Sequence, residues 1–143
     1  FQAALLLSQL KKLDRFKEMR QEIVRRYDEA FGSVPEILVQ REIEKSDTCR
    51  HLYIIRLEPD RLTCSRRQFF DAMSRENIQC QVHYIPVYWF PYYQHLGYER
   101  GLCPNAETIY EKVFSIPLYP KMGDEDVEDV IHAVKKVIGN YRR

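Results

Sequence analysis

The chain has 143 residues, of which 45% are hydrophobic and 30% are charged, and this composition is typical of one globular domain. Its 22 lysines and arginines nearly balance its 21 aspartates and glutamates, which leaves a formal net charge of +1. A chain with so small a net charge has no overall field to attract nucleic acid or an anionic membrane, so partners of both classes are excluded. The apolar run in the opening FQAALLLSQLKK is also too short to span a bilayer.

The first predicted element is one long amphipathic helix over residues 3–31, where no glycine or proline occurs. Apolar residues return to one side of it at helical spacing, namely Leu6, Leu10, Leu13, Ile23, Tyr27 and Ala30. The other side mixes basic and acidic residues at distances suited to ion pairs, and we interpret it as a solvated face. Gly32, Ser33 and Pro35 are expected to end the helix.

Two strands and a helix are predicted next. The segment RHLYIIRLEP, residues 50–59, has the β-branched and aromatic centre of a strand that stops at Pro59. Ser65 is an expected N-cap for a helix in RRQFFDAMSREN, and Asn77 is expected to close that helix in a left-handed conformation. A second strand is predicted over IQCQVHY, residues 78–84.

The remaining elements are a helix over PNAETIYEKV, a short extended segment FSIPLYP and a final helix after Gly123. Acidic residues in the first turn of that last helix and lysines near its end match the helix dipole, and Gly139 is expected to stop it. Helices and short strands therefore alternate. We predict an α/β (α+β, two-layer) fold with a small antiparallel or mixed sheet, packed by helices mostly on one face and preceded by the long helix.

The segment VHYIPVYWFPYYQHLGY, residues 82–98, gathers five of the ten tyrosines, the one tryptophan and two of the four histidines. Prolines break it too often for one helix, so part of it should be loop, and loops often carry function. An aromatic mini-core is the alternative interpretation. The segment contains no lysine or arginine, which disfavours stacking of nucleic-acid bases and favours a sugar or another small polar molecule.

Four cysteines are scattered along the chain without any C-x-x-C pair, at Cys49, Cys64, Cys80 and Cys103. We expect four reduced thiols in a cytoplasmic protein. A zinc site built from Cys49, His51, Cys80 and His83 is the alternative, but neither cysteine–histidine pair has the spacing of a thiolate clamp. We therefore predict no metal site. A cysteine–histidine nucleophilic pair stays open, although no known catalytic or nucleotide-binding motif supports it.

Four segments carry further information, namely FQAALLLSQLKKLD, HLYIIRL, HYIPVYWFPYY and PNAETIYEKVFSIPLYPKMGDEDVEDVIHAVKKVI. In this order along the chain they resemble the DegT/DnrJ/StrS family of sugar aminotransferases. The resemblance covers nearly the whole chain, and HYIPV and IPLYP are its more specific parts. It implies that residues 1–143 are one small C-terminal domain of the aspartate aminotransferase-like fold, with a leading helix over 1–31 and a body over 50–138.

The resemblance also implies an activity, which is transfer of an amino group from glutamate to a keto sugar nucleotide with pyridoxal phosphate as cofactor. The Schiff-base lysine and most cofactor contacts would lie in an N-terminal domain absent from this chain, so no catalytic or cofactor-binding residue is assigned here and the chain alone is expected to be inactive. The parent enzyme would be a homodimer. The substrate-binding residues that the resemblance implies are His83, Tyr84, Tyr88, Tyr92 and Tyr93.

His83 is the favoured substrate contact, with a purely structural hydrogen bond as the alternative role. Relatives often have a second histidine where this chain has Tyr88, so only a neutral phenol keeps the hydrogen-bonding function there. A rival interpretation of the whole chain is a freestanding ligand-binding or interaction module that keeps the fold without the chemistry.

Overall fold

A computed structural model describes all 143 residues. The α-helices are α1 (Gln2–Leu10), α2 (Leu13–Phe31), α3 (Arg66–Arg75), α4 (Pro91–His95), α5 (Pro104–Lys112) and α6 (Asp124–Tyr141). The strands are β1 (Ile37–Val39), β2 (Tyr53–Leu57) and β3 (Val113–Ile116), and short 3-10 helices occupy Pro59–Arg61 and Val87–Trp89.

The three strands form one antiparallel sheet in the order β1-β2-β3. Ile37 pairs with Leu57 on one side of β2, and Ile54 pairs with Ser115 on the other. Because side chains alternate along a strand, Tyr53, Ile55 and Leu57 of β2 share the inner face, while Ile54 and Arg56 point to the outer face. The predicted class, a small antiparallel sheet packed by helices, is confirmed.

Helices α2, α3 and α6 cover the inner face of the sheet, and 24 buried residues from these elements and the strands form one core. The buried stripe of α6 contains Val127, Val130, Val134 and Val137, as its periodicity predicts. Phe69 of α3 packs against Phe114 of β3 with ring centroids 5.3 Å apart. Helix α5 lies on the outer face, where its Ile109 lines a cleft with Leu38 and Ile54.

The predicted limits of α3 are confirmed at both ends. The Ser65 hydroxyl accepts a hydrogen bond from the Gln68 backbone N–H (3.3 Å), and the Gln68 side chain accepts one from the Ser65 N–H (2.9 Å). This reciprocal pair is a capping box. Asn77 has φ of 62°, the left-handed conformation that asparagine tolerates better than most residues.

The leading helix is not continuous, because α1 ends at Leu10 and α2 begins at Leu13. The sequence has no helix breaker there; the Lys12 N–H bonds to the Gln9 carbonyl (2.9 Å), which tightens the last turn of α1. Only α2 packs on the core. The leucines of α1 stay exposed in this chain; Leu6 is 64% exposed and Leu10 is 60% exposed.

Two further predictions about elements are wrong. The segment 78–84 is not a strand: it pairs with β3 only at Gln81 and Ser115, because the chain turns away before Pro86, which has no N–H to extend a ladder. Gly139 does not stop α6, since the Tyr141 carbonyl accepts bonds from the Thr63 N–H and hydroxyl and holds the last turn in place. The short strand β1 was not predicted.

No helix is long and apolar enough to cross a membrane.

Candidate functional site

His83 lies beside the outer face of the sheet. Its Nε2 contacts the Ser115 Oγ at 2.7 Å, and Ser115 is itself held by two backbone hydrogen bonds to Gln81 at 2.8 and 3.0 Å. The imidazole is half-buried, and its Nδ1 is buried without any hydrogen-bond partner. A buried polar atom without a partner is rare in native proteins, and the chain itself offers this nitrogen none.

Tyr84 lies next to His83, with the two rings 4.9 Å apart in an edge-to-face arrangement. The peptide bond between them is cis. The side chain of Tyr84 is 77% exposed, and its hydroxyl has no partner within the chain. His83 and Tyr84 therefore place an unpartnered imidazole nitrogen and an exposed phenol on adjacent residues.

The aromatic segment after Tyr84 is folded around the Glu107 carboxylate. Its Oε1 accepts from the Tyr88 hydroxyl (2.6 Å), the Gly101 N–H (2.6 Å) and the Trp89 indole (3.4 Å). The Arg100 guanidinium lies over the Trp89 ring, 4.1 Å from its centroid. Glu107, in the first turn of α5, was not predicted to take part in the site, because nothing in its sequence position identifies its partners.

Tyr88 is committed to this internal network. Burial and its hydrogen bond to Glu107 raise the pKa of the Tyr88 hydroxyl to about 12. Its oxygen also accepts from the Cys103 N–H at 3.3 Å. In this arrangement the Tyr88 hydroxyl donates its proton to Glu107 and is not a free donor.

The contribution of Glu107 to stability can be tested by varying the pH. The hydrogen bond from Tyr88, supported by those from Gly101 and Trp89, holds the pKa of Glu107 below its ordinary value of 4.5. Ionised Glu107 therefore stabilises the folded chain fully above about pH 4.5, and this stabilisation is lost as the pH falls through the lowered pKa of the folded state. We expect Glu107→Gln to lower the melting temperature near neutral pH, with the gap to wild type narrowing in acid.

The matched control for this pH series is Glu111→Gln, which removes an exposed carboxylate from the same helix. Melting temperatures of wild type and both variants, measured by circular dichroism from pH 3 to 7, give the comparison. A gap for Glu107→Gln that stays constant across the series would mean that the charge of Glu107 does not support the network.

Tyr92 and Tyr93 belong to α4 and form an aromatic row with Tyr98. The ring of Tyr93 lies 5.3 Å from that of Tyr92 and 6.1 Å from that of Tyr98. Tyr92 is 68% exposed, whereas Tyr93 is half-buried. The structure thus brings His83 together with Tyr84, and Tyr92 together with Tyr93.

The four possible zinc ligands do not form a site. No group of three or more histidine, cysteine, aspartate and glutamate side chains is arranged to hold a metal ion. Cys64 and Cys80 are buried, whereas Cys49 and Cys103 are exposed. Burial raises the pKa of the Cys80 thiol to about 12, and that of Cys64 is raised for the same reason.

These differences predict two classes of thiol reactivity. We expect Cys49 and Cys103 to react quickly with a disulfide reagent at pH 8, and Cys64 and Cys80 to react only on unfolding, because the thiolate is the reactive form. Stopped-flow absorbance with native and denatured protein measures both classes. Fast reaction of all four thiols in the native protein, or fewer than four after denaturation, would contradict this expectation.

The fold matches solved structures of sugar aminotransferases. Helicobacter pylori PseC, an aminotransferase involved in the biosynthesis of pseudoaminic acid, has a TM-score of 0.88 and 31% identity, over 97% of this chain and 37% of that one. The pyridoxal phosphate form of Spr1654 from Streptococcus pneumoniae, described as a sugar aminotransferase, has a TM-score of 0.86 and 30% identity, over 94% and 34% of the two chains. The fold is therefore that of an aspartate aminotransferase-like domain.

Residues 1–135 match the DegT/DnrJ/EryC1/StrS aminotransferase family, and the chain belongs to this family. The spore coat polysaccharide biosynthesis protein SpsC of Bacillus subtilis is 40% identical over 139 residues, which cover 96% of this chain and 36% of SpsC. A Campylobacter jejuni UDP-4-amino-4,6-dideoxy-N-acetyl-beta-L-altrosamine transaminase is 36% identical, over 98% and 37% of the two chains. The chain thus spans little more than a third of the length of these relatives.

The lysines of this chain do not fit the cofactor that the family implies. Pyridoxal phosphate needs a lysine that can lose its proton and form an imine, yet none of the chain's lysines is buried. Lys136 is paired with Glu76 at 2.7 Å, and the hydrogen bond to Asp47 raises the pKa of Lys17, which opposes imine formation. That this chain carries no Schiff-base residue stays a prediction.

Proposed function

We propose that this chain is the C-terminal domain of a pyridoxal-phosphate-dependent enzyme that transfers an amino group from glutamate to a keto sugar nucleotide. Membership of the aminotransferase family supports this proposal, as do relatives that are named as a UDP-sugar transaminase and a polysaccharide biosynthesis protein. The remaining length of the parent enzyme supplies the Schiff-base lysine and most cofactor contacts, so the chain alone is not catalytic.

One observation carries the assignment of the substrate side to this chain. The Nδ1 of His83 is buried and has no partner, while its Nε2 is fixed by Ser115 at 2.7 Å. A histidine that served only the fold would have both nitrogens satisfied or exposed to water. His83 therefore contacts the keto sugar, with Tyr84, Tyr92 and Tyr93 providing aromatic surface around the sugar nucleotide and Tyr88 shaping that surface through Glu107.

The parent enzyme is proposed to be a homodimer, and its cytoplasmic location stays a prediction. The rival interpretation, a freestanding binding module, predicts a different coding sequence upstream of Phe1. A lysine-bearing domain encoded there supports the aminotransferase, and a start codon close to Phe1 supports the module.

The test compares the full-length protein with the 143-residue chain. Each is incubated with glutamate, pyridoxal phosphate and a UDP-4-keto sugar, and formation of 2-oxoglutarate and of the amino sugar is measured. We expect both products in equal amounts from the full-length protein and neither from the chain. Glutamate turnover without amino sugar would contradict the proposed acceptor class, and activity of the chain alone would contradict the proposed division of labour.

A further inference from the structure

Arg50 is the one basic residue among the buried polar and charged residues, with only 7% of its surface exposed. It precedes β2, and two of its N–H groups donate to Gln40, from Nη1 to the side-chain oxygen (3.3 Å) and from Nη2 to the backbone carbonyl (3.1 Å). Its Nε–H is buried and has no partner. A buried guanidinium is thus held by neutral groups alone.

The carboxylates around Arg50 are already engaged elsewhere. Three of them line a cleft with it and each accepts from another donor: Asp28 from the Tyr53 hydroxyl (2.7 Å), Glu29 from Arg25 (2.9 Å) and Glu42 from the Thr48 N–H (3.1 Å). Arg50 forms no ion pair with any of them. The guanidinium therefore has no direct ion pair within the chain, although these carboxylates lie in the same cleft.

A buried charge without a counterion is unfavourable, and the other buried charged residue avoids it. The buried Glu36 is paired with Arg142 at 2.6 Å. Arginine cannot relieve its burial by losing a proton, because its pKa is too high. Buried charges are tolerated when they are paired and hydrogen-bonded, so an anion beside the unpartnered Nε–H would complete the environment of Arg50.

Arg50 also lines a second cleft of about 430 Å³, between the loop after β1 and the start of β2. Its lining includes two more basic or titratable side chains, Arg41 and His51, together with the hydroxyl residues Ser46 and Thr48 and a single carboxylate, Glu42. This volume is within the range of small-molecule sites. The planar guanidinium matches the geometry of phosphate and carboxylate oxygens.

We propose that this cleft, named here the Arg50 cleft, is a binding site for a small oxyanion, either a phosphate group or a carboxylate. The buried guanidinium donates its free N–H groups to the anion, and Arg41 and His51 add positive charge or donors at the rim. The site is independent of the proposed aminotransferase activity, since it requires only the residues of this chain.

Titration of the 143-residue chain with inorganic phosphate and, separately, with glutamate at constant ionic strength tests the proposal. Melting temperature gives the affinity, and ¹H–¹⁵N spectra follow the arginine Nε–H signals. We expect one Nε–H signal to shift saturably, and Arg50→Gln to remove that signal and weaken the affinity by about tenfold or more. Arg15→Gln is the matched control, because it removes an exposed guanidinium without hydrogen bonds and should leave the affinity unchanged.

Tighter binding of phosphate identifies a phosphate site, and tighter binding of glutamate identifies a carboxylate site. An equal rise in melting temperature for wild type and Arg50→Gln would overturn the proposal, because it would reflect a general salt effect. If Arg50→Gln does not fold, Arg50→Lys keeps the positive charge while removing the Nε–H and so assigns the signal. An assigned signal that neither anion moves would also overturn it.

Discussion

Replacing His83 with alanine in the full-length enzyme is expected to slow amino transfer to the keto sugar by about ten- to a hundredfold. The expectation rests on the proposed contact of His83 with the substrate, which is based on an Nδ1 that is buried and has no partner in the chain. The fold should lose little, because the variant gives up one contact with the Ser115 hydroxyl at 2.7 Å and the packing of the ring on the exposed Tyr84. We expect the melting temperature to change by no more than a few degrees.

The measurement is paired. Single-turnover transfer from the amino form of the cofactor gives the rate with the keto sugar, and thermal unfolding of the same variant gives its stability. His95→Ala is the control, since His95 is exposed at the end of α4 and makes no hydrogen bond. Normal transfer beside a large loss of stability would return His83 to a purely structural role.

Local chemistry explains which elements could be predicted. The Ser65 capping box depends on residues three positions apart, and the valine stripe of α6 is a period within one helix, so both are visible in the sequence. The strand β1 is three residues long and gives no periodic signal. The segment 78–84 has the composition of a strand, yet whether it pairs depends on the path of the chain toward Pro86, which is a tertiary property.

The candidate site, too, could be predicted only in part from the sequence. His83 could be selected because it precedes a proline at a strand-like end and because of the family resemblance. Its partner Ser115 lies 32 positions away, and the Glu107 contact to Tyr88 spans 19 positions. Residues so far apart in the sequence come into contact only because the sheet and α5 bring them together. The sequence therefore indicates which side chains are chemically able to bind, and the fold decides which atoms stay free.

The largest loss of stability is expected from Phe69→Ala. Phe69 is fully buried and packs on Phe114, which is 1% exposed and precedes Ser115 in β3. Removing its ring leaves a cavity between α3 and the sheet, at a cost of about 3–5 kcal/mol. The free energy of unfolding of a domain is typically about 5–15 kcal/mol, so this loss is a large fraction of it. The variant should therefore unfold at a much lower urea concentration than the wild type.

Urea unfolding of the 143-residue chain, followed by circular dichroism, measures this loss. Phe90→Ala is the matched control, since Phe90 is 44% exposed and should cost about 1 kcal/mol or less. If Phe69→Ala is unfolded without urea, Phe69→Leu retains much of the volume and should give a smaller, measurable loss. A loss below about 1 kcal/mol for both Phe69 variants would mean that α3 does not share the core of the sheet. The strand that positions Ser115 beside His83 would then be held without support from α3.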